Sequence, residues 1–178
     1  TGVVNVSCNG LSDGTATASP TGGSSPYTYI WYTTPGQTSA TANGLPQGTY
    51  TVDVLDACGN SVTDSMAITE ATALSIFFNA TNDVDCKGGS DGDASIVASG
   101  GTTPYTYLWS NAGTSTGINN LTVGLYTILV TDANGCTLLD SINITEPDTA
   151  LTLNSSSSNA SCGNADGTAT VNPIGGTP

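Results

Sequence analysis

The chain has 178 residues, of which fourteen are acidic, one is basic and none is histidine, so its formal net charge is -13. Without His, and with Lys87 as the single cation, the groups that usually act as acid or base near neutral pH are missing, and we expect no enzymatic activity. The negative charge would repel phosphate backbones and anionic lipids, so nucleic acid is not an expected partner. No apolar run approaches the roughly 18 residues that span a bilayer, which argues against direct membrane insertion.

Charged residues make up only 8% of the chain. Solubility must therefore come mainly from Ser, Thr, Asn and Gly, unlike the Lys- and Glu-rich surface of a typical cytosolic domain. This composition predicts an extracellular protein. Residue 1 does not begin a signal peptide, so we expect any export signal to lie outside this segment.

The sequence repeats itself. The stretch CNGLSDGTATASPTGGSSPYTYIW at residues 8–31 returns as CKGGSDGDASIVASGGTTPYTYLW at residues 86–109, and a third copy begins at Cys162. A period of about 76 residues predicts an array of similar modules. We predict a first repeat that lacks its first strand, a complete second repeat and a partial third, in a window of a longer array. Their predicted bounds are residues 1–72, 73–149 and 150–178.

Taken in chain order, short β-rich runs separated by Gly, Pro, Asn and Asp predict strands. These runs are residues 3–8, 15–19, 27–32, 62–69, 74–78 and 142–145. The clearest alternation, one side chain inward and the next outward, lies at Tyr50, Val52 and Val54 and returns at Tyr126, Ile128 and Val130. No segment has a convincing helical pattern.

Six or seven short strands per repeat predict an all-β fold, a Greek-key sandwich of the immunoglobulin type, repeated in tandem like beads on a string. Trp31 and Trp109 are expected in the core. Tyr50 and its equivalent Tyr126 are expected to act as the corner tyrosines of such sandwiches. The stretches DACGN and DANGC, at residues 56–60 and 132–136, predict hairpin turns.

The five cysteines predict disulfides within repeats. Cys8 and Cys58 are separated by the same roughly 50 residues as Cys86 and Cys136, which suggests one bridge per repeat, while Cys162 lacks its partner. An oxidising compartment would permit such bonds. Metal binding is the alternative for these thiols, but the chain has no His and no CxxC pair.

The ordered motifs resemble the SprB repeat family. They are a Cys before Asp-Gly, then Gly-Gly followed by Pro-Tyr-Thr-Tyr and Trp, then Gly-x-Tyr-Thr, a turn such as DANGC and a closing ITEP; the first copy departs from them with DACGN and ITEA. The Gly-Thr-Tyr-Thr-Val stretch is also similar to polycystic kidney disease domains, which share the sandwich architecture. The resemblance implies very large cell-surface adhesins of gliding and related Bacteroidota, exported by the type IX route, with roles in adhesion, gliding or filament building.

Acidic residues cluster near the start of the second repeat. Carboxylates are hard oxygen ligands, so this cluster is a candidate calcium site, formed by Asp83, Asp85, Asp91 and Asp93. The alternative is that these aspartates form turns and a solvated acidic face. No EF-hand loop is present, and apart from calcium at this candidate site no cofactor is expected.

Three sites resemble the Asp-Ser/Thr-apolar acceptor signature of Bacteroidota O-glycosylation. The candidate acceptors are Ser65, Ser141 and Thr149. The first two occupy equivalent positions in the two repeats. A glycoprotein is therefore one expectation.

These observations favour a structural and adhesive array on the cell surface. Its expected partners are neighbouring repeats of the same chain or fibre, with surface polysaccharide and other cells as further candidates. The alternative function is an array of carbohydrate-binding modules, in which exposed aromatic side chains and calcium hold polysaccharide. Burial of Tyr27, Tyr29, Trp31 and Tyr32 distinguishes the two, because a sugar platform needs several of them exposed in one row.

Overall fold

The computed structural model describes residues 2–175, and these residues form strands without a helix. The first six strands are β1 (Gly2–Val4), β2 (Gly14–Thr17), β3 (Thr28–Trp31), β4 (Thr41–Leu45), β5 (Gly48–Leu55) and β6 (Ser61–Ile68). The next six are β7 (Ser75–Asn82), β8 (Gly92–Ser99), β9 (Thr106–Trp109), β10 (Gly117–Leu121), β11 (Gly124–Thr131) and β12 (Thr137–Ile144). Two more follow, β13 (Thr152–Ser158) and β14 (Thr168–Ile174). The described part of the chain contains no helix long and apolar enough to cross a membrane.

Each full repeat forms two three-stranded sheets. In the first repeat the strand orders are β1-β2-β4 and β3-β5-β6, and in the second they are β7-β8-β10 and β9-β11-β12. Both repeats thus place their first, second and fourth strands in one sheet and their third, fifth and sixth in the other. This is the strand division of an immunoglobulin sandwich, and the predicted fold class is confirmed.

The core of the first repeat follows from alternation along its strands. Val52 and Val54 on β5 point inward and are buried, and Ala16 on β2 and Leu45 on β4 meet them from the other sheet. Trp31 is 2% exposed, and its indole N–H donates to the carbonyl oxygen of Ser39 at 2.9 Å. Burying a large aromatic ring together with a satisfied N–H makes this tryptophan a core residue, as predicted.

Core features recur in the second repeat. Trp109 is buried, donates its indole N–H to the Ser115 carbonyl at 3.0 Å, and packs edge-on against Phe78 with ring centroids 6.3 Å apart. The corner tyrosines also match. The Tyr50 hydroxyl donates to the Pro46 carbonyl at 2.9 Å, and the Tyr126 hydroxyl donates to the Thr122 carbonyl at 3.1 Å. Each hydroxyl reaches back to the chain entering its strand, as predicted for a corner tyrosine.

The structure contains a first strand in the first repeat, which corrects the sequence-based expectation that this strand is lacking. Strand β1 has three residues and pairs with β2, with Gly2 opposite Thr17 and Val4 opposite Thr15. Its equivalent β7 has eight residues.

An open groove of about 380 Å³ lies in the first repeat, lined among others by Tyr27, Val52 and Val62. The boundaries proposed for the repeats stay a prediction.

The chain divides into two compact units. One consists of Thr1–Ser75, Ala98–Thr106 and Val130–Leu138, and the other consists of Ile76–Val97, Tyr107–Leu129 and Leu139–Pro178. The first unit therefore contains the first repeat together with two loops of the second repeat. The candidate site lies inside this first unit.

Candidate functional site at the joint between repeats

A disulfide joins the first repeat to the second. Cys8 lies in the loop at residues 5–13, here called the Cys8 loop, and Cys136 lies in the turn at residues 132–136, here called the second hairpin. Their Cα atoms are 5.7 Å apart and their sulfur atoms are bonded. Within the described residues, Cys58, Cys86 and Cys162 are free and exposed. The predicted pairs Cys8–Cys58 and Cys86–Cys136 are therefore wrong.

Strand length explains the error. The Cys8 loop lies beside the end of β6, where the Val6 N–H donates to the Thr69 carbonyl at 3.0 Å. Cys58 precedes β6, which begins at Ser61 and runs for eight residues. Eight strand residues span about 25 Å, whereas bridged cysteines need Cα atoms within about 7 Å. Cys8 and Cys58 therefore lie near opposite ends of β6. Their spacing along the chain, equal to that of Cys86 and Cys136, does not bring them together in space.

Two carboxylates hold the Cys8 loop in shape. The side chain of Asp13 accepts the Ser7 N–H at 3.0 Å and the Ser7 hydroxyl at 2.5 Å. The hydroxyl donation, followed by that of the N–H, lowers the pKa of Asp13. Glu70, which follows β6, accepts the Gly10 N–H at 2.7 Å and the Asn9 side-chain amide at 3.1 Å. The loop that carries Cys8 is therefore fastened to the segment that leads into the second repeat.

Asp132 organises the second hairpin. One oxygen of its buried carboxylate accepts the N–H groups of Asn134 and Cys136, both at 2.9 Å, and the other accepts the Thr102 N–H at 2.8 Å. Burial acts to raise the pKa of Asp132, but the backbone donors outweigh it and the net pKa lies below its ordinary value. The hairpin and the loop containing Thr102 thus form one fixed surface.

Non-covalent contacts surround the bridge. The Asn134 side-chain amide donates to the Ser7 carbonyl at 3.0 Å, so it crosses between the repeats beside the disulfide. The Gly101 N–H donates to the Thr72 carbonyl of the linker at 2.7 Å. Gly100, at φ 75°, lies so near Ala73 that a Cβ would come within 1.9 Å of its carbonyl oxygen. Only glycine fits this close approach.

The same two loop structures occur again in the chain. In the second repeat, Glu146 accepts the Gly88 N–H at 2.6 Å and Lys87 lies 3.6 Å from the same carboxylate. In the first repeat, Asp56 accepts the N–H groups of Cys58 and Asn60, both at 2.9 Å. The joint is therefore assembled from a loop and a hairpin that every full repeat possesses.

The structure gives the candidate calcium ligands separate hydrogen bonds. Asp83 accepts the Thr145 N–H at 2.8 Å, which lowers its pKa, and Asp91 accepts the Asp85 N–H at 3.2 Å. Asp93 accepts the side-chain amide of Asn82 at 2.7 Å. Among residues 2–175, no three His, Cys, Asp or Glu side chains gather into a group able to hold a metal ion. Calcium binding stays a prediction.

The candidate glycosylation sites are accessible. Ser65, Ser141 and Thr149 are exposed. The Ser65 N–H donates to Asp64 at 2.8 Å and the Ser141 N–H donates to Asp140 at 2.7 Å, so in these two signatures the aspartate contacts the residue that it precedes. Their modification stays a prediction.

The aromatic strand is mostly part of the core. Trp31 is buried, and Tyr27 and Tyr29 are half-buried against the core cluster. Tyr32 is 64% exposed and donates its hydroxyl to Asp53 at 2.6 Å. One exposed tyrosine does not make the row of rings that a sugar platform needs.

The clamp at Glu70 gives a first prediction. Glu70→Ala should weaken the Cys8 loop by about 1.5 kcal/mol, because two hydrogen bonds to a charged acceptor are lost. That cost corresponds to a roughly tenfold lower equilibrium constant for closing the Cys8–Cys136 bridge in a glutathione buffer, measured by quantifying the oxidised form. Glu146→Ala removes the equivalent clamp of the second repeat and should leave this equilibrium unchanged. Equal effects of both variants would contradict the assignment.

Acid should destabilise the fold. Hydrogen bonds lower the pKa of Asp13, Asp56 and Asp166 from the ordinary value of 3.8. A carboxyl with a lowered folded-state pKa stabilises the fold above its unfolded-state pKa, and this contribution disappears as the pH falls through the folded-state pKa. Thermal unfolding at stepped pH should therefore give a melting temperature that is level above about pH 5 and falls below about pH 4. A melting temperature that stays level down to about pH 2 would contradict the prediction.

The solved structures found to be similar to this chain have low sequence identities and low TM-scores. An amphioxus IgVJ-C2 molecule is 15% identical, with a TM-score of 0.33, over 74% of this chain and 94% of that chain. The N-terminal eight Ig domains of Down Syndrome Cell Adhesion Molecule (DSCAM) isoform 1.30.30 are 16% identical, with a TM-score of 0.38, over 82% and 22%. A tetra-tandem repeat from the extending region of a large adhesion protein is 14% identical, with a TM-score of 0.29, over 98% and 64%. At these scores they add nothing to the fold described above.

No curated protein sequence matches the chain. A family model does match it, at the opening part of each full repeat. The SprB repeat model covers residues 1–36 and residues 79–114, which include Cys8 and Cys86 in their equivalent loops. These two segments of the chain are similar to the SprB repeat, as the sequence motifs predicted.

Proposed function

We propose that this chain is a tension-bearing stretch of a cell-surface adhesion array, in which a disulfide locks the joint between two consecutive repeats. The observation that carries the proposal is the Cys8–Cys136 bridge, which links one repeat to the next rather than closing a single repeat. The match of residues 1–36 and 79–114 to the SprB repeat model supports a surface array.

An extracellular location fits the same bridge. Structural disulfides persist in oxidising compartments and are rare in the cytosol. The low content of charged residues, 8%, also suits an exported protein. Export by the type IX route and display on Bacteroidota cells are what the family resemblance adds to the proposal.

The bridge has a direct mechanical consequence. When the two ends of the chain are pulled apart, force passes through the disulfide and bypasses the residues between the cysteines. The sequence separation across the bridge is 128 residues. At about 3.5 Å per extended residue, roughly 45 nm of chain is shielded from extension. The bridge would therefore limit how far the array lengthens under load, even if both sandwiches unfold.

Single-molecule pulling on the oxidised chain, attached through its two ends, tests the proposal. Complete unfolding should release about 45 nm less length than in the variant Cys8→Ser with Cys136→Ser. The variant Cys58→Ser is the matched control, because its thiol is free and exposed. It should extend like the unmodified chain. Equal extension with and without Cys8 and Cys136 would contradict the proposal.

The carbohydrate-binding alternative makes a different prediction. It requires several exposed aromatic rings in a row, whereas Trp31, Tyr27 and Tyr29 lie in or against the core. Calorimetric titration of the purified chain with surface polysaccharide, in the presence and absence of calcium, should detect no saturable binding. Saturable binding that is lost in Tyr32→Ala would favour the alternative.

A further inference from the structure

Two free thiols lie in the loop and the hairpin that are equivalent to the loop and the hairpin joined by the Cys8–Cys136 bridge. Cys86 lies in the loop at residues 83–91, the counterpart of the Cys8 loop and here called the Cys86 loop. Cys58 lies in the turn at residues 56–60, the counterpart of the second hairpin and here called the first hairpin. Both thiols are exposed.

The Cys86 loop presents its thiol in the setting in which the Cys8 loop presents Cys8. The Val84 N–H donates to the Thr145 carbonyl at 2.9 Å, as Val6 does to Thr69 at 3.0 Å. The Gly89 N–H donates to the Cys86 carbonyl at 2.8 Å and closes a turn. In the Cys8 loop the Leu11 N–H closes the equivalent turn by donating to the Cys8 carbonyl at 3.1 Å. The Glu146 clamp on Gly88 matches the Glu70 clamp on Gly10, at 2.6 and 2.7 Å. The backbone around Cys86 is therefore already arranged for a bridge.

The first hairpin also matches its counterpart in backbone contacts. Asp56 accepts the Ser24 N–H at 3.2 Å, as Asp132 accepts that of Thr102 at 2.8 Å. The Ala57 N–H donates to the Ser24 carbonyl at 2.8 Å, the same distance as in the second hairpin. The first hairpin is thus fixed to its neighbouring loop in the way that the bridged hairpin is.

The position of Cys58 within its hairpin differs from that of Cys136. Cys58 is the third residue of DACGN and corresponds to Asn134 in DANGC, whereas Asn60 corresponds to Cys136. In the closed joint the Asn134 side chain reaches the Ser7 carbonyl, next to Cys8, at 3.0 Å. A side chain at this hairpin position therefore faces the cysteine-bearing loop of a neighbouring repeat. Cysteine and asparagine have thus exchanged positions between the two hairpins, but in the second hairpin the side chains at both positions reach the Cys8 loop.

We propose that the inter-repeat disulfide recurs at successive joints. Cys86 pairs with the hairpin cysteine of a following SprB repeat, and Cys58 pairs with the loop cysteine of a preceding one. The proposal rests on the joint-locking function proposed above, and the partner that it names is a further repeat of the same kind. Because Cys86 precedes Cys136 in the chain, consecutive disulfide-closed loops overlap. In an array bonded in this way, a disulfide at every joint limits how far the chain can extend under load.

Closing each bridge is a two-electron oxidation. Two thiols lose two protons and two electrons, and a disulfide-bearing oxidant such as oxidised glutathione takes them up. One thiolate attacks the oxidant to give a mixed disulfide and releases one glutathione thiol; the second cysteine thiolate then displaces the other glutathione. One protein disulfide forms and two glutathione thiols are released.

A swap of the second hairpin tests whether the Cys58 position can form the bridge. The variant Asn134→Cys with Cys136→Asn gives this hairpin the residue order of the first one. After oxidation with glutathione, peptide mapping should find Cys8 joined to the new thiol at position 134 in a yield within about twofold of the unmodified bridge. Cys136→Asn alone is the matched control and should leave Cys8 free. A folded double variant with Cys8 free, or with Cys8 joined to Cys58, would overturn the proposal.

Disulfide mapping of the native full-length protein gives a second test that needs no substitution. Free thiols are alkylated first, and the protein is then digested without reduction. Cys86 should be recovered joined to a hairpin cysteine of a following repeat, and Cys58 joined to a loop cysteine of a preceding repeat. Alkylated Cys58 and Cys86 would overturn this inference. If Cys8–Cys136 were still intact, the proposed function would stand without it.

Discussion

Replacing Cys8 and Cys136 together with Ser should lower the free energy of unfolding by about 5 kcal/mol. The bridge closes a loop with a sequence separation of 128 residues. Restricting so long a loop removes conformational entropy from the unfolded chain, and the effect grows with loop length. Urea denaturation of the oxidised chain and of the double variant, followed by far-UV circular dichroism, measures the difference.

Two other cysteine substitutions serve as controls for that experiment. Cys58→Ser and Cys162→Ser change exposed, free thiols, so each should alter the free energy of unfolding by less than about 0.5 kcal/mol. If the double variant were as stable as these controls, the bridge would not constrain the chain, and the account of the joint would be wrong.

Replacing Trp31 with Ala should lower the stability of the first repeat by about 3–5 kcal/mol. The ring is 2% exposed and its indole N–H bonds to Ser39, so the substitution leaves a cavity and an unsatisfied carbonyl. Trp109→Ala should have an effect of similar size in the second repeat, where the ring contacts Phe78. Urea denaturation followed by circular dichroism measures both.

Ile30→Ala is the matched control for Trp31. It changes the neighbouring residue of the same strand on the opposite, 46% exposed face. Its effect should stay within about 0.5 kcal/mol. A loss at Trp31 no larger than that at Ile30 would contradict the assignment of Trp31 to the core.

The sequence predicted the sandwich well because its core residues recur with strand periodicity. Val52 and Val54 alternate with polar neighbours, and the tryptophans and corner tyrosines recur at equivalent positions. Strands β4 and β10 were not predicted. Gly44 and Asn120 have positive φ within them, and the pairing of each strand shifts register, so neither shows a simple alternation. In β4 the buried core residues, Ala42 and Leu45, are separated in the sequence by residues typical of turns.

The disulfide pairing was mispredicted because sequence spacing does not report which end of a sandwich a loop occupies. Two signals in the sequence pointed to the joint. The loop cysteine and the hairpin cysteine flank strands that run the length of the repeat, so a bridge inside one repeat would have to span a strand. The glutamate that ends each repeat, Glu70 or Glu146, also recurs where the chain enters the next one.

Internal repetition also clarifies the acidic residues. Asp13, Asp91 and Asp166 occupy equivalent loop positions in the three copies, and each accepts a backbone N–H from its own loop. Such recurrence is typical of a residue that holds a turn. The recurrence of this position in three copies therefore indicates that Asp91 holds a turn, which the local density of acidic residues did not indicate.

Peptide mapping of the oxidised 178-residue chain, digested without reduction after its free thiols are alkylated, tests the central claim most directly. The account predicts one linked pair of peptides containing Cys8 and Cys136, with Cys58, Cys86 and Cys162 alkylated. Recovery of Cys8 linked to Cys58, together with Cys86 linked to Cys136, would place each bridge inside one repeat and contradict a covalently locked joint.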